Sequence, residues 1–220
     1  AKEYLKVYGV LVGRNPLIFT NNDSGYETAI EFKKNGVEPI ILDTRKNPQS
    51  EIIDEAKILG INIKFSYVVV AAHGYKKVKS ADIAKISDDK ELLGMIENIK
   101  CDCICVSGFW TPTIHLASQS GNKTKFNENI DAFVPGISKQ NETTLGAANG
   151  SYTLNETLKS SFETAHELSK KITNKDNKIS FPNVVEKKST THDKFWCVPL
   201  PVSYTHLRAH ETDSYLVCRL

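Results

Sequence analysis

The run PLIFTNNDSGYETAIEFKKNGVEPIILD, residues 16–43, decides the fold. Its first five residues, Pro16 to Thr20, form a short apolar run of the kind that suits a strand buried in a parallel sheet. Asn21-Asn22-Asp23-Ser24 breaks the pattern. Ser24 followed by Glu27 is a capping-box signature and predicts a helix start. Tyr26, Ala29, Ile30 and the aliphatic stem of Lys33 then recur at helical spacing. Asn35-Gly36 supplies the stop, because glycine tolerates the left-handed position after a helix. Val37 to Leu42 is the next strand, ending at Asp43.

Downstream, Ser50 is placed to cap a second helix running to Leu59 and closed by Gly60, and Ile61 to Phe65 is a third strand. A β-α-β-α-β order predicts a parallel sheet with right-handed crossovers, so the fold class is α/β and Rossmann-like. The rhythm then changes. Tyr67 to Ala72 and Lys77 to Ile86, joined by His73-Gly74-Tyr75, predict an antiparallel meander. Asp88 to Asn98 is charged and reads as a loop with a helical turn, and Asp102 to Val106 returns as a strand ending in Ser107-Gly108. Pro112 biases Thr111 away from helix, making Phe109 to Pro112 a turn. Ile114 to Ser118 is a short helix, and Thr124–Phe126, Ala132–Val134 and Thr143–Gly146 are short strands. Leu154, Leu158, Phe162, Ala165, Leu168 and Ile172 form the apolar stripe of a long helix. From Thr173 to Thr191 the chain is polar and reads as a linker.

Composition narrows the function classes. Of 220 residues, 40% are apolar and 25% charged, ordinary globular values, and the formal charge of +2 gives no reason to expect nucleic acid or an anionic membrane as partner. No apolar run approaches the length of a membrane span. Cys101, Cys103 and Cys105 alternate along an expected strand, which would put all three on one face. No CxxC occurs, so they read as buried free thiols of a reducing cytoplasm, not as a zinc knuckle or redox dithiol. The beginning, Ala1-Lys2-Glu3-Tyr4, has no initiator Met and reads as a chain already under way. Val202 to Leu220 resembles a translated sequencing adapter and is set aside as a non-native tail; His206 and His210, with Glu211 beside them, therefore carry no weight as a metal pair.

Three places are candidates for a ligand. In a dinucleotide fold the turn after the first strand carries Gly-x-Gly-x-x-Gly. Here Thr20 to Gly25 keeps only Gly25, and Asp23 would repel a phosphate. Asp43 stands twenty residues on, where a ribose-binding carboxylate would be, but this turn reads as a degenerate or lost phosphate site. The second candidate is Gly146, Ala147, Ala148, Asn149 and Gly150, small residues that let a flat ligand approach near a helix start; a tight structural turn explains the spacing equally well. The third is Gly108, Trp110 and Pro112, with His115 and Gln119 downstream. A lone His in such a place is more often simply hydrogen-bonded, and Trp110 reads as packing. No catalytic triad or carboxylate pair stands out. No residue of this chain is assigned as catalytic, and none as a metal ligand.

Several segments in order, Tyr8-Gly9-Val10, Phe19 to Asp23, Asp102 to Gly108 with Trp110 and Pro112, His115-Leu116, Ser118 to Gly121, Phe133 to Gly136 and Gly146 to Gly150, resemble the α subunit of heterotetrameric sarcosine oxidase. The resemblance implies a piece of a flavin-dependent complex that oxidises sarcosine to glycine with hydrogen peroxide and passes the one-carbon unit to tetrahydrofolate. It implies NAD on the α subunit, FAD and FMN mostly on a partner subunit or interface, a folate region outside this segment, partners of β, γ and δ type, an amine substrate and a cytoplasmic location. It also implies a domain plan. Residues 1–14 end a preceding cofactor domain, and 15–108 form an inserted Rossmann-like domain with its meander. Residues 109–172 return to a second FAD/NAD-binding-type domain, 173–201 link onward, and 202–220 are the tail. The family's cofactor role falls on Gly146, Ala147, Ala148, Asn149, Gly150, Gly108, Trp110 and Pro112. Related flavoproteins have Gly-Asp at the return turn; here Ala147 follows Gly146, which favours a nucleotide over a flavin. The alternatives are the α subunit of a related amine or imino-acid dehydrogenase and a non-catalytic nucleotide-binding scaffold.

Overall fold

The computed structural model of the chain describes residues 1–108 and 110–173 and, beyond these, residues 180, 181, 184, 192, 193, 195 and 198. The expectations for Phe109, the tail and most of the linker lie outside the described residues. The chain divides into two compact units, Ala1–Phe109 together with Lys188–Leu220, and Trp110–Lys187.

The first unit holds α1 (Lys2–Tyr8), β1 (Pro16–Thr20), α2 (Ser24–Lys34), β2 (Ile40–Asp43), α3 (Glu51–Ile58), β3 (Asn62–Phe65), β4 (Tyr67–Gly74), β5 (Val78–Ile86), β6 (Leu92–Lys100) and β7 (Cys103–Ser107). β1, β2, β3 and β7 form a parallel sheet in the order β3-β2-β1-β7, and β4-β5-β6 form an antiparallel one. The period of two along each strand sorts the core. Ile18 and Ile41 turn to one face and pack with Tyr26, Ala29, Ile30 and Phe32 of α2 and with Ile53 and Ala56 of α3. Leu17 and Leu42 turn to the other and pack with Ala81 and Ile83 of β5. The parallel sheet is thus covered by helices on one side and by the meander on the other, which is why β1 and β2 are apolar without alternation, whereas the edge strand β3 alternates. The expected α/β class holds.

Four local expectations fail for identifiable reasons. Asp88 to Asn98 is not a loop with a helical turn: Leu92–Lys100 is a strand paired with β5. Its apolar period is broken because the register slips between Ile83↔Glu97 and Lys85↔Leu93, a bulge in which Gly94 takes φ 72°. The capping box does not form, because Asp23 is the N-cap and Ser24 already lies in the helix. Thr143–Gly146 is no strand, because Gly146 takes φ 66° and opens a 3-10 turn that runs to Asn149. Cys101 does not share a face with Cys103 and Cys105: it joins the core of Leu17 and Leu42, whereas Cys105 packs with the helices. The chain bends at Asp102, so the alternation breaks one residue before β7 begins.

That bend has a cause. The Asp102 carboxylate accepts hydrogen bonds from the backbone N–H groups of Arg14 and Asn15, both 2.8 Å. A Cβ on Gly13 would come within 2.6 Å of both Asp102 Oδ1 and Cys103 Cβ, so only glycine permits the approach. The loop before β1 is lashed to the start of β7, beside the register Pro16↔Cys103. Burial pushes the Asp102 carboxyl up, but the N–H groups of Arg14 and Asn15 outweigh it and hold it below the usual range.

The second unit holds α4 (His115–Gln119), the antiparallel pair β8 (Thr124–Asn127) and β9 (Ala132–Pro135), a 3-10 turn (Gly146–Asn149) and α5 (Leu154–Thr173). Phe126 and Phe133 face each other edge-on across the strand pair, with ring centroids 5.3 Å apart. No residue of α5 is buried, and Leu154, Leu168 and Ile172 of its apolar stripe stand exposed. Among the described residues no helix is long and apolar enough to cross a membrane.

Two outcomes test this packing. Ile41→Ala, at a site with no exposed surface, lowers unfolding stability by about 2–5 kcal/mol, whereas Ile58→Ala, 85% exposed, changes it by less than about 0.5 kcal/mol; urea titration reads both, and equal losses would refute the assigned faces. Asp102 titrates below its unfolded value of about 3.9. Its stabilisation is therefore complete above that value and is lost as pH falls through the folded one. Urea midpoints of the wild type then drop more steeply in that acid range than those of Asp102→Asn; parallel pH curves would count against the role given to this carboxylate.

Candidate functional site

In a parallel sheet, ligands gather at the carboxyl ends of the strands where the order reverses. In the first unit that place lies between β1 and β7, beside the turn Asn21-Asn22-Asp23 that leads into α2. The turn is fully committed to its own chain. Thr20 Oγ1 donates to the Asn22 carbonyl at 2.8 Å. Asn22 Nδ2 donates to Asn21 Oδ1 at 2.8 Å and to the Ser107 carbonyl at 3.2 Å. Ser24 N donates to Asn22 Oδ1 at 2.9 Å, and the Ser24 and Ser107 hydroxyls meet at 2.5 Å. The short polar side chains that broke the apolar pattern thus weld β1, α2 and β7 together.

The two carboxylates of the region face inward. Asp43 is fully buried and Asp23 nearly so. Arg45 lies between them, with Nη1 2.8 Å from Asp23 Oδ1 and Nη2 2.8 Å from Asp43 Oδ2. Asp43 Oδ1 also accepts from the Arg45 backbone N–H at 2.9 Å and from Nε at 3.0 Å. Tyr26 donates its hydroxyl to Asp43 Oδ2 at 2.6 Å. Burial, then the Asp43 charge, push the Tyr26 phenol far above its ordinary value, so it stays a donor. Burial works against the Arg45 charge, but the bonds to Asp43 and Asp23 more than restore it. A ribose would need Asp43 as an exposed acceptor and a pyrophosphate would need an open, positive helix start. Asp43 is buried and bonded, and the N-cap position of α2 is held by Asp23, whose negative charge disfavours a phosphate there, so a dinucleotide does not fit this turn.

Cys103 and Cys105 face the same side of β7, with sulfurs 3.7 Å apart. Burial and then Cys103 push the Cys105 thiol up to about 12. Among the described residues no group of three or more His, Cys, Asp or Glu side chains is placed to hold a metal ion.

The site residues expected from the sequence fall into both units. Gly108 lies at the end of β7 and lines a cavity of about 210 Å³ with Thr20, Asn21, Thr44 and Ser107. Trp110 and Pro112 belong to the second unit. Trp110 is exposed and its carbonyl accepts from the Tyr152 hydroxyl at 2.8 Å; Pro112 is buried. His115, on α4, is exposed, as is Gln119.

Gly146, Ala147, Ala148 and Asn149 form the 3-10 turn, and Gly150 closes it in the left-handed conformation at φ 85°. Both glycines have reasons internal to the chain. Gly146 has φ 66° with Thr157 Cγ2 3.1 Å from where a Cβ would be, and at Gly150 a Cβ would meet Ile130 Cδ1 at 2.5 Å. The spaces glycine leaves are therefore filled by Thr157 and Ile130, while Ala147 and Asn149 are exposed and their small side chains leave the outer side of the turn approachable. Thr153, which the sequence reading passed over, caps α5: its Oγ1 accepts from the Glu156 N–H at 3.2 Å. The Thr-x-x-Glu spacing 153–156 was the signal for it.

Comparison with known proteins bears out the resemblance carried by the ordered motifs. Over 151 residues, 68% of this chain, it is 30% identical to the sarcosine oxidase subunit alpha of Corynebacterium sp. (strain P-1), and over 149 residues, 67%, it is 32% identical to that of Rhizobium meliloti (strain 1021). The chain spans only 15% and 14% of the lengths of these relatives. No family model matches. Among solved structures, the HOCl-induced flavoprotein disulfide reductase RclA of Escherichia coli superposes with a TM-score of 0.50 at 15% identity, covering 71% of this chain and 36% of that one. That likeness shows the fold, the FAD/NAD(P)-binding reductase type.

Arg45→Met strands two buried carboxylates and costs about 3–5 kcal/mol. Chemical denaturation measures it, and a loss under about 1 kcal/mol would mean that the three charges do not depend on one another.

Proposed function

We propose that this chain is an internal segment of the α subunit of a flavin-dependent sarcosine oxidase complex. The complex oxidises sarcosine to glycine, forms hydrogen peroxide and passes the one-carbon unit to tetrahydrofolate. The observation that carries the reading is the 30–32% identity to two sarcosine oxidase α subunits over about two thirds of the chain. In this reading the α subunit holds NAD, FAD and FMN sit mostly on a partner subunit or at an interface, and tetrahydrofolate binds outside this segment. The partners are subunits of β, γ and δ type, and the complex is cytoplasmic.

Within the segment, residues 15–108 act as the inserted domain and 109–172 as part of the main cofactor domain. Residues 1–14 belong to what precedes and 173–201 lead onward. The turn Gly146, Ala147, Ala148, Asn149, Gly150 is the place at which this chain would hold the nucleotide, with Trp110 and Pro112 supporting it and Gly108 ending the inserted domain. The exposed Ala147 and Asn149 support this, since neither side chain obstructs approach from outside. The chain's part is to bind and orient; nothing on it is assigned to proton transfer or to the oxidation itself.

The test is co-expression of the full-length gene with its neighbours from the source DNA. Sarcosine-dependent peroxide formation, with tetrahydrofolate trapping the one-carbon unit, is expected, and Ala147→Trp should lower the NAD recovered per complex. A flavin-loaded complex inactive on sarcosine but active on another secondary amine would move the assignment to a related dehydrogenase. A complex without flavin or activity would leave a nucleotide-binding scaffold.

A further inference from the structure

The first unit keeps the outline of a dinucleotide-binding sheet, yet its crevice already has an occupant. We propose that the crevice at the carboxyl ends of β1 and β7 is a socket for three residues from later in the chain, Asp193, Phe195 and Val198, and not a site for a pyridine dinucleotide.

The segment is held by paired polar contacts. The Asp193 N–H donates to the Asn21 carbonyl at 3.0 Å, and Asn21 Nδ2 donates back to the Asp193 carbonyl at 2.9 Å. The two residues therefore exchange one backbone and one side-chain hydrogen bond. Lys90, from the connection between β5 and β6, reaches the Asp193 carboxylate at 3.1 Å. The same ammonium lies 5.6 Å from the centre of the Phe195 ring. Phe195 and Val198 then line the crevice together with Phe19 and Val106. Apolar contacts thus follow the polar anchor into the place where the sheet order reverses.

Space and charge both disfavour a dinucleotide. The remaining cavity is about 210 Å³, below the roughly 300–1,000 Å³ of ordinary ligand pockets. The carboxylates of Asp23, held by Arg45, and of Asp193, held by Lys90, add negative charge near the turn where phosphates would lie. Arg45, a cation close by, is engaged by Asp23 and Asp43. The Ser24 N–H, which a pyrophosphate would borrow, is bonded to Asn22 within the turn, and the Ser24 hydroxyl to Ser107. This inference does not depend on which amine the complex oxidises.

Hydrogen exchange read by mass spectrometry on the intact chain tests it. Asp193→Pro removes the N–H that anchors the segment, and Lys90→Ala removes the ammonium. In the double variant, exchange in peptides covering Phe19–Ser24 and Val106–Gly108 should rise about tenfold, while the peptide covering Ile40–Asp43 stays unchanged. Unchanged exchange at β1 and β7 would overturn the proposal. If the peptide at Ile40–Asp43 also speeds up, the milder Phe195→Ser variant replaces the double one, with the same expected contrast between crevice and β2. Separately, millimolar NAD+ or NADP+ added to the wild type should protect none of these peptides. Protection of Asn21–Gly25 by either nucleotide would show that the crevice is a cofactor site after all.

Discussion

A guanidinium fixed between two buried carboxylates is the constraint around which the first unit is arranged. Asp23 stands at the start of α2, Asp43 ends β2, and Arg45 sits two residues past that end, so one side chain ties the start of the helix to the end of the next strand. Each charge would be very costly to bury alone, and each is tolerable because the others are there. The Tyr26 hydroxyl on Asp43 satisfies another carboxylate lone pair and carries the network into the helix-facing core. The carboxyl edge of the sheet, where this fold usually leaves polar groups open to a ligand, is consequently closed from within.

The same arrangement shows what a sequence can and cannot carry. Residues 16–43 were readable because their signals are local: an unbroken apolar run, a helical period after it and Asn35-Gly36 at its end. The parallel sheet and the meander followed from such runs. Most of the departures depend on partners distant in the chain. Ser24 was read as a cap because Glu27 stood at the right spacing, but Ser107, 83 residues on, engages its hydroxyl. Cys101 was assigned a face by alternation, which fails because Asp102 bends to meet Arg14 and Asn15. β6 was hidden by its own bulge. At Gly146–Gly150 the need for glycine was legible, but its immediate reason was not, since Thr157 and Ile130 fill the spaces the missing side chains leave.

The two units carry different kinds of information. In the first, the weak phosphate turn is explained by side chains that replace a ligand's role. In the second, α5 displays a regular apolar stripe and buries none of it among the described residues. An apolar stripe of this pattern is one that a helix ordinarily turns toward a core; the chain spans about 15% of the length of the relatives it matches. The likeness to flavoprotein reductases is one of architecture, and the identity to sarcosine oxidase α subunits is what gives that architecture a chemical direction.

The bulge in β6 has one more consequence. β6 stands at the margin of its sheet and, among the described residues, pairs only with β5. With Leu93, Met95 and Ile96 exposed, an uninterrupted nine-residue strand here would offer other molecules a template for fibril growth. The slip in register divides it into a regular stretch at Leu92 and Leu93 and another from Glu97 to Lys100. Neither reaches the six or so residues that a steric zipper requires, and Glu97 and Lys100 put charge on the longer one. The irregular pairing thus leaves this edge without a regular stretch of that length.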